Sequence, residues 1–452
     1  MSELRKLAKF ISELSLDNVP KEVRDAVKLC VLDSISVALG AADYELIKNI
    51  TNTYFRMGII GEGGKASCWG QKWKAPLLTA IFLNAMMGHA LELDDVHTNS
   101  KTHIGTVVVP TAWTLAEYLG CSGKEFLEAV ICGYETMSRI GMGFGVSSHR
   151  NRGWHVTGTA GTFGAAAAAA KLLKLDEEKT LSAFGMAGTQ SCGLWAFLED
   201  GASCKILHPA RAAVSGTEAA LLAKSGMTGP EHILDAKDGG LFAATSDQYD
   251  LSLVSKDLGI KYELLYMDRK PYPCCRSTHC AIDAALAIKK EFGITKDDIM
   301  NVEVATYLVG YKQCGASEGS KNPVKPVDAK FSTPFTVACA FIFGEVTLNQ
   351  FKQQNINNPE VRDLLSKVTV IPEDKYTNVY PDHWGCELRV KLKNGKILVK
   401  EITDASGSVA NPLTKEQIKS KALGLIKSTY DDAARIIDAV LSVDEAQKIP
   451  II

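Results

Sequence analysis

The stretch GTAGTFGAAAAAAK, residues 158–171, consists almost entirely of glycine, alanine and threonine. At helical spacing Gly158, Gly161, Gly164 and Ala168 fall on nearly one stripe, and a stripe of small residues lets a second helix approach closely. Neither G-x-G-x-x-G after a strand nor G-x-x-x-x-G-K-[ST] is present, so a phosphate-binding loop is disfavoured. The stretch therefore predicts a buried central helix.

Helical periodicity extends on both sides of this stretch, from Leu4 to about Met227. Apolar residues there recur mainly every three or four positions, as expected for helices with one buried face. Capping signals mark helix starts: Ser122 precedes Glu125 by three residues, and Asp176 precedes EEKTLSAFGMAG. These patterns predict a large all-α domain.

Beyond about residue 265 the periodicity changes to the alternation of strands. Strands are predicted for NVEVATYLVG (301–310), KVTVIP (367–372) and CELRVKLKNGKILVKEI (386–402), where Asn394-Gly395 indicates a hairpin turn. Helical patterns occupy 280–291 and 334–343, and the chain returns to helix at 414–441. We therefore expect a mainly α fold in which residues 1–266 and 405–452 form a large α-helical domain and residues 267–404 form a smaller α+β lid domain.

Composition excludes several classes of partner. The 452 residues include 50 basic and 52 acidic side chains and carry a net charge of −2, too little to recruit nucleic acid or an anionic membrane. No apolar run reaches the roughly 18 residues of a membrane span, and the N-terminus lacks the apolar core of a signal peptide. None of the twelve cysteines forms a C-x-x-C pair. We expect a cytoplasmic protein in a reducing compartment, with no zinc site and no disulfides.

Three segments combine histidine with charged neighbours in ways that core packing does not require. The first is GHALELDDVHTNSKTHIG, residues 88–105. Carboxylates beside imidazoles and a lysine set one another's charge state, which acid–base catalysis and binding of polar substrates need. The alternative is a solvated helix end whose charges only cap and pair. The histidines and charged residues of this segment are His89, Glu92, Asp94, Asp95, His97, Lys101 and His103.

The second candidate consists of two separate stretches. In GWHVTGTAG, His155 precedes the small-residue helix, and the other stretch is FLEDGASCKILHPARAAVSG. In the latter, Lys205 and His208 are three residues apart and share one face if the segment is helical. An ordinary solvated lysine is the competing interpretation of Lys205.

The third segment is KPYPCCRSTHC, residues 270–280. Its two prolines favour an extended lead into a helix, which places Arg276 and His279 in the first helical turns. A helix N-terminus with arginine and histidine forms a local anion site within a neutral protein. The alternative is a capped loop without a ligand.

These segments, together with KFSTPF at 330–335, resemble the MmgE/PrpD family in order and spacing over nearly the whole chain. The resemblance implies a mostly α-helical domain with a smaller α+β lid and a homodimer. It also implies a site without metal or organic cofactor at the domain junction, acting on di- or tricarboxylic acids. The chain departs from the family pattern in having Glu92 for aspartate and Val96 for threonine. The stretch 96–102 is also about one residue longer than in the cis-aconitate decarboxylase members of the family.

The family motifs match this sequence at Glu92, Asp94, Asp95, His103, His155, Lys205 and His279, and the three segments described above add His97, Lys101, His208 and Arg276. The residues expected to be catalytic are His103, His155, Lys205, His279 and Glu92. The residues expected to bind substrate are Asp94, Asp95, His97, Lys101, His208 and Arg276.

The chemistry that these residues favour is formation of a carbanion beside a carboxylate. Lys205 and Arg276 would neutralise the developing charge, and the histidines would move protons near neutral pH. The expected function is a lyase of the 2-methylcitrate dehydratase type. Alternatives are a cis-aconitate decarboxylase, an epimerase of a dicarboxylate imine such as iminodisuccinate, and a carboxylate-binding protein without catalytic activity.

Overall fold

The computed structural model describes residues 1–61 and 63–452. The helices before residue 267 are α1 (Glu3–Glu13), α2 (Lys21–Gly40), α3 (Glu45–Arg56), α4 (Leu77–Ala90), α5 (Gly105–Leu119), α6 (Gly123–Gly143), α7 (Val146–Asn151), α8 (Val156–Leu172), α9 (Glu177–Gly188), α10 (Leu207–Lys224) and α11 (Leu241–Thr245). The later helices are α12 (His279–Phe292), α13 (Leu308–Cys314), α14 (Glu318–Lys321), α15 (Pro326–Lys330), α16 (Thr333–Phe343), α17 (Gln353–Ile356), α18 (Pro359–Leu365), α19 (Asp374–Thr377), α20 (Lys415–Ile426) and α21 (Ala433–Leu441). The strands are β1 (Ala66–Ser67), β2 (Lys74–Ala75), β3 (Val96–His97), β4 (Met267–Asp268), β5 (Ile299–Thr306), β6 (Val368–Pro372), β7 (Cys386–Leu392) and β8 (Ile397–Ile402).

Helix α8 is the centre of the larger hydrophobic core, as its small residues predict. Every residue of α8 except Lys171 is buried, and the helix packs against α5, α6, α9 and α10. A Cβ atom on Gly161 would lie 2.8 Å from the Cβ of Ala212, and one on Gly164 would lie 2.8 Å from the Cβ of Met137. The glycines therefore set how closely α10 and α6 approach, because any side chain would separate the helices.

A second hydrophobic core lies between the four-stranded sheet and helices α12 and α16. The strand order is β6-β5-β7-β8; β5 and β6 are parallel, and the remaining pairs are antiparallel. Along β7, buried residues alternate with more exposed ones, so one face of the sheet is covered by helices. Helices α20 and α21 return to the larger core and pack on α2. The domain bounds 1–266 with 405–452, and 267–404, stay a prediction that this arrangement of two cores supports.

A short antiparallel pair of strands joins the loop after α4 to the start of the sheet-containing part. Val96 pairs with Asp268 and His97 pairs with Met267. This pairing holds the histidine-rich segment against the segment that begins KPYP, although the two lie far apart in sequence.

The predicted fold class is confirmed: a large helical part accompanies a smaller α+β part. The local signals are also present, since Ser122 and Glu125 form a capping box and Asp176 caps α9. The hairpin connects β7 and β8 around Asn394-Gly395. Among the described residues, no helix is both long and apolar enough to cross a membrane.

The segment 414–441, predicted to be helical, contains two helices, because the Asp432 side chain accepts from the Arg435 N–H and starts α21 anew. One local prediction needs correction. The strand predicted for 301–310 ends at Thr306, since Tyr307 takes an extended N-cap conformation and α13 begins at Leu308.

The tight packing of α8 predicts opposite outcomes for two glycine-to-alanine substitutions in helices. A Cβ on Gly216 of α10 would lie 2.2 Å from the backbone oxygen of Thr162, so Gly216→Ala should lower the free energy of unfolding by about 1–3 kcal/mol. Gly424 of α20 is exposed with no atom within 4 Å of its Cβ position, so Gly424→Ala should raise it by up to about 1 kcal/mol. Urea denaturation measures the free energy of unfolding of both variants. Equal changes in the two variants would contradict the close contact at Gly216.

Candidate functional site

A cavity with about 650 Å³ of empty space, part of it open to solvent, lies where the segment 92–103, the starts of α7 and α8, and the residues after β4 converge. Its walls combine cationic, imidazole and aromatic side chains. The charged residues of the wall are Glu92, Lys101, Arg150, Lys205, Lys270 and Arg276, and the imidazoles are His103 and His155. The aromatic residues are Trp154, Trp195, Phe331, Tyr380 and Trp384.

Glu92 anchors one wall of the cavity. Its backbone adopts a positive φ of 56°, which is uncommon for a residue with a side chain and turns the chain sharply after α4. The carboxylate is buried and contacts the Lys205 ammonium group, while Lys270 Nζ lies 3.6 Å from Oε2. Burial raises the pKa of Glu92, but the two ammonium groups outweigh this effect and hold the pKa well below its usual value.

Two lysines fix the backbone around Glu92. Lys270 Nζ donates to the Glu92 carbonyl oxygen over 3.1 Å, and Lys330 Nζ donates to the Leu91 carbonyl oxygen over 2.9 Å. These lysines come from the later part of the chain, so they tie the bend after α4 to that part.

Asp94 organises two histidines from beneath the cavity wall. Its Oδ2 atom lies 2.7 Å from His89 Nδ1 and 3.0 Å from His103 Nδ1. Burial raises the pKa of Asp94, but the two imidazoles outweigh it and keep the pKa well below the usual value. Asp94 is therefore ionised and orients both rings.

These contacts decide the tautomer of His103. Its Nδ1 atom also lies 3.0 Å from the backbone carbonyl oxygen of Asp95, which can only accept a hydrogen bond. Nδ1 therefore carries the proton in the neutral ring, and Nε2 is left with a free lone pair on the cavity side. Burial lowers the pKa of His103 to about 4, so the ring is neutral at physiological pH and can accept a proton there.

His155 faces the cavity from the N-cap position of α8. Its Nδ1 atom lies 2.9 Å from Nδ1 of His208, and its ring is in edge contact with Trp195. Burial and the nearby Lys205 lower the pKa of His155 well below the usual value, so this ring is also neutral. The cavity thus holds two uncharged imidazoles among several cations.

Arg276 retains a donor for a ligand. Its Nε donates to Asp268 over 3.1 Å, and Nη2 donates to the Ala405 carbonyl oxygen over 3.4 Å. Nη1 is buried and has no hydrogen-bond partner among the described residues. An unpartnered guanidinium nitrogen is costly unless a ligand satisfies it, and a carboxylate is the group that matches it best.

Six of the residues predicted from the sequence line the cavity: Glu92, Lys101, His103, His155, Lys205 and Arg276. Lys101 adopts a positive φ of 62° and places Nζ 4.3 Å from the centre of the Trp384 ring. Burial lowers the pKa of this ammonium group to about 7.

Five predicted residues lie outside the cavity wall, for identifiable reasons. Asp94 is held beneath it by the two histidines. Asp95 accepts from the Gly105 N–H and the Tyr134 hydroxyl, and so fixes the start of α5. His208 lies behind His155.

The other two predicted residues are buried against other parts of the protein. His97 Nδ1 bonds to the Ser100 hydroxyl, and its Nε2 lies 3.3 Å from Glu263. His279 is the first residue of α12, and its ring turns into the core against Tyr272, with Nε2 bonded to the Cys274 carbonyl oxygen.

Several residues of the cavity wall were not predicted from the sequence. Lys270 opens the KPYP motif and Phe331 belongs to KFSTPF, so both could have been found from their motifs, but Arg150 and Trp195 belong to segments with no chemical pattern. Cys275 also lines the cavity, and a hydrogen bond with Cys314 lowers the pKa of its thiol to about 7.

One group of side chains in the described part of the chain could hold a metal ion. The potential ligand atoms of His89, Asp94 and His103 lie within 4.8 Å of one another. The contacts of Asp94 with both Nδ1 atoms have the lengths of N–H···O hydrogen bonds. A metal ion would have to displace both Nδ1 protons.

Sequence profiles assign this architecture to a known family. The MmgE/PrpD N-terminal domain matches residues 5–253, and the MmgE/PrpD C-terminal domain matches residues 272–445. The chain belongs to the MmgE/PrpD family. The family predicted from the sequence motifs is thereby confirmed.

Curated relatives within the MmgE/PrpD family carry two kinds of name. A cis-aconitate decarboxylase-like protein of Aspergillus oryzae is 26% identical, covering 97% of this chain and 94% of the relative. The human cis-aconitate decarboxylase is 27% identical, covering 92% and 85%. The mitochondrial 2-methylcitrate dehydratase of Yarrowia lipolytica is 21% identical, covering 87% and 77%.

The lowered pKa of His103 predicts a specific pH dependence of stability. In the unfolded chain this histidine takes up a proton near pH 6.5, whereas in the folded protein it stays neutral until about pH 4. The stabilisation is present above pH 6.5 and is lost as the pH falls toward 4. His103→Asn should therefore reduce the loss of unfolding free energy between pH 7 and pH 5 by roughly 2 kcal/mol at most.

Urea denaturation at both pH values measures this difference. The matched control is His232→Asn, because His232 is exposed and paired only with Asp235, so its removal should leave the pH dependence nearly unchanged. Identical pH dependence in the parent and both variants would show that His103 is not held neutral by burial.

Proposed function

We propose that this protein is a cofactor-independent lyase that generates a carbanion-like transition state beside a carboxylate of a di- or tricarboxylic acid, with dehydration of the 2-methylcitrate type as its main reaction. The observation that carries this proposal is the state of His103. Its Nδ1 proton is held by Asp94 and the Asp95 carbonyl oxygen, which leaves a neutral Nε2 base on the wall of a cation-rich cavity.

The cations of the wall supply the binding and the electrostatic stabilisation. Glu92 is the acid of the cavity wall, and it faces two lysines, Lys205 and Lys270. Arg276 adds a free guanidinium nitrogen. This excess of positive charge suits a substrate with at least two carboxylates. Fixed cations beside a developing carbanion in a water-poor site lower the barrier by several kcal/mol.

Dehydration would use the two imidazoles in complementary roles. His103 Nε2 accepts the proton from the carbon beside the carboxylate, and the electrons of that C–H bond form the C=C bond. The C–O bond breaks on the adjacent carbon, and His155 is placed to give a proton to the departing hydroxide. Each such transfer is worth about 10²–10⁴-fold in rate.

Decarboxylation of an unsaturated tricarboxylate, as in cis-aconitate, is the second candidate. The sequence comparisons favour it, because the decarboxylase-named relatives are 26–27% identical and the dehydratase is 21% identical. The C–C bond to the departing carboxylate would break, and a protonated group of the cavity would deliver a proton to the carbon that keeps the electrons.

One experiment separates these possibilities. The protein is incubated in deuterium oxide with 2-methylcitrate, citrate, cis-aconitate and iminodisuccinate, and each acid is followed by NMR. Loss of water, loss of carbon dioxide, and deuterium exchange with inversion identify a dehydratase, a decarboxylase and an epimerase respectively. A raised melting temperature without any turnover would indicate a binding protein and contradict the proposal.

The proposed roles predict non-additive effects of two substitutions. Lys205→Ala and His103→Ala should each lower kcat/KM by at least about 10²-fold, and the double variant should be little worse than either single one, because both residues act on one transition state. The measurement is kcat/KM on the acid that the parent uses, with circular dichroism to verify folding. Parent-like rates from both single variants would remove these residues from the site.

The assembly and location of the protein are part of the same proposal. We expect a homodimer, as the family resemblance implies, and a cytoplasmic location, as the spacing of the cysteines and the composition of the N-terminus indicate. Exposed apolar side chains near the end of α3, at Phe55, Met57 and Ile59, offer surface for a contact between two copies of the chain. Light scattering should give twice the chain mass of 48.8 kDa, and the monomer mass at micromolar concentration would contradict the dimer.

A further inference from the structure

His155 and His208 form a direct contact between two imidazole rings. Their Nδ1 atoms lie 2.9 Å apart, and their ring centres are 5.1 Å apart. The backbone permits this approach: the Cβ position of Gly193 is 3.4 Å from His208 Nδ1, and its φ of 119° favours glycine. The His155 N–H donates to the Gly193 carbonyl oxygen, which fixes the ring at the start of α8.

A contact of this length between two neutral nitrogens requires that one proton lie between them. One Nδ1 donates and the other accepts, so the two rings hold opposite tautomers. If His208 Nδ1 carries the shared proton, His155 carries its own on Nε2, facing the cavity. If the shared proton moves to His155 Nδ1, His155 Nε2 becomes an acceptor.

The surroundings of the two rings show which ring faces the cavity and which ring faces solvent. His155 is 2% exposed, and its ring is in contact with the rings of Trp195 and Phe197, neither of which accepts and passes on a proton near neutral pH. His208 is only half-buried. Its Nε2 atom has no hydrogen-bond partner among the described residues, and protein does not enclose this atom completely. Solvent therefore reaches it.

We propose that His208 is a positioning residue that relays protons between solvent and His155. The inference rests on the proposed function, in which His155 exchanges a proton with the substrate. When His155 Nε2–H gives its proton to a departing hydroxide, His155 Nδ1 takes the shared proton from His208 Nδ1, and His208 Nε2 takes one from water. The reverse sequence carries a proton out, and each ring is neutral before and after.

The relay is tested with two substitutions of His208. His208→Asn keeps a polar atom near the Nδ1 position but cannot pass a proton to solvent, and His208→Ala leaves space that free imidazole can enter. Both should lower kcat roughly tenfold or more with little change in KM, and added imidazole should restore the rate of His208→Ala alone. His232→Asn, the substitution of an exposed histidine far from the cavity, should keep the parent rate.

The outcomes separate a relay from a purely structural role. Parent-like kcat in His208→Asn would overturn the relay, and so would loss of activity in both variants without rescue of His208→Ala by imidazole. If His208→Ala fails to fold, the relay is tested by His208→Asn alone. Its kcat should be lower than that of the parent, and its solvent deuterium isotope effect should be larger.

Failure of the proposed function is visible separately, because the parent protein would then turn over none of the four acids. In that case NMR of the ¹⁵N-labelled imidazoles still tests the pair. One protonated and one unprotonated Nδ1 are expected, and two protonated Nδ1 atoms would contradict the shared proton.

Discussion

The buried carboxylate of Glu92 is the constraint on which the site depends. A buried charge is tolerated only when it is paired and hydrogen-bonded, and Glu92 finds its partners in Lys205 of the helical part and Lys270 after β4. Lys270 also holds the Glu92 carbonyl oxygen. The contacts of Glu92 with these two lysines therefore hold the bend after α4, connect the two cores, and place two cations at the cavity wall.

The same burial that makes Glu92 dependent on its partners keeps the histidines uncharged. Desolvation lowers the pKa of His103 and of His155, so neither ring competes with the lysines as a permanent cation. The carboxylate of Asp94 lies beneath the cavity wall and contacts His89 and His103. In the proposed mechanism, lysine and arginine provide charge, whereas imidazole nitrogens transfer protons.

The aromatic side chains contribute by excluding water from this charged site. Trp384 and Tyr380 lie over Lys101, and Trp195 stacks against Arg150 with a distance of 4.3 Å between the ring centre and the guanidinium carbon. Low polarity strengthens the attraction between these cations and a carboxylate substrate. A protein with a net charge of only −2 can in this way attract a polyanion through a local cluster without a field over its whole surface.

Much of the fold could be predicted from the sequence because its signals are local. The small-residue stripe of α8, the capping box at Ser122 and the Asn394-Gly395 turn each depend on residues a few positions apart. The order of the histidine, lysine and proline motifs likewise identified the family and the segments that meet at the site.

Which side chains of those segments face the cavity was decided only by the tertiary structure. Glu92 and Asp94 are two residues apart in a segment without helical or strand periodicity, and the positive φ of Glu92 turns one toward the lysines and the other toward the histidines. Lys270 and His279 belong to one motif, but the pairing of β3 with β4 leads Lys270 into the site, while α12 directs His279 into the core. Such directions follow from backbone torsions and long-range pairing, because only contacts between distant segments satisfy the buried charges, and no local pattern records them.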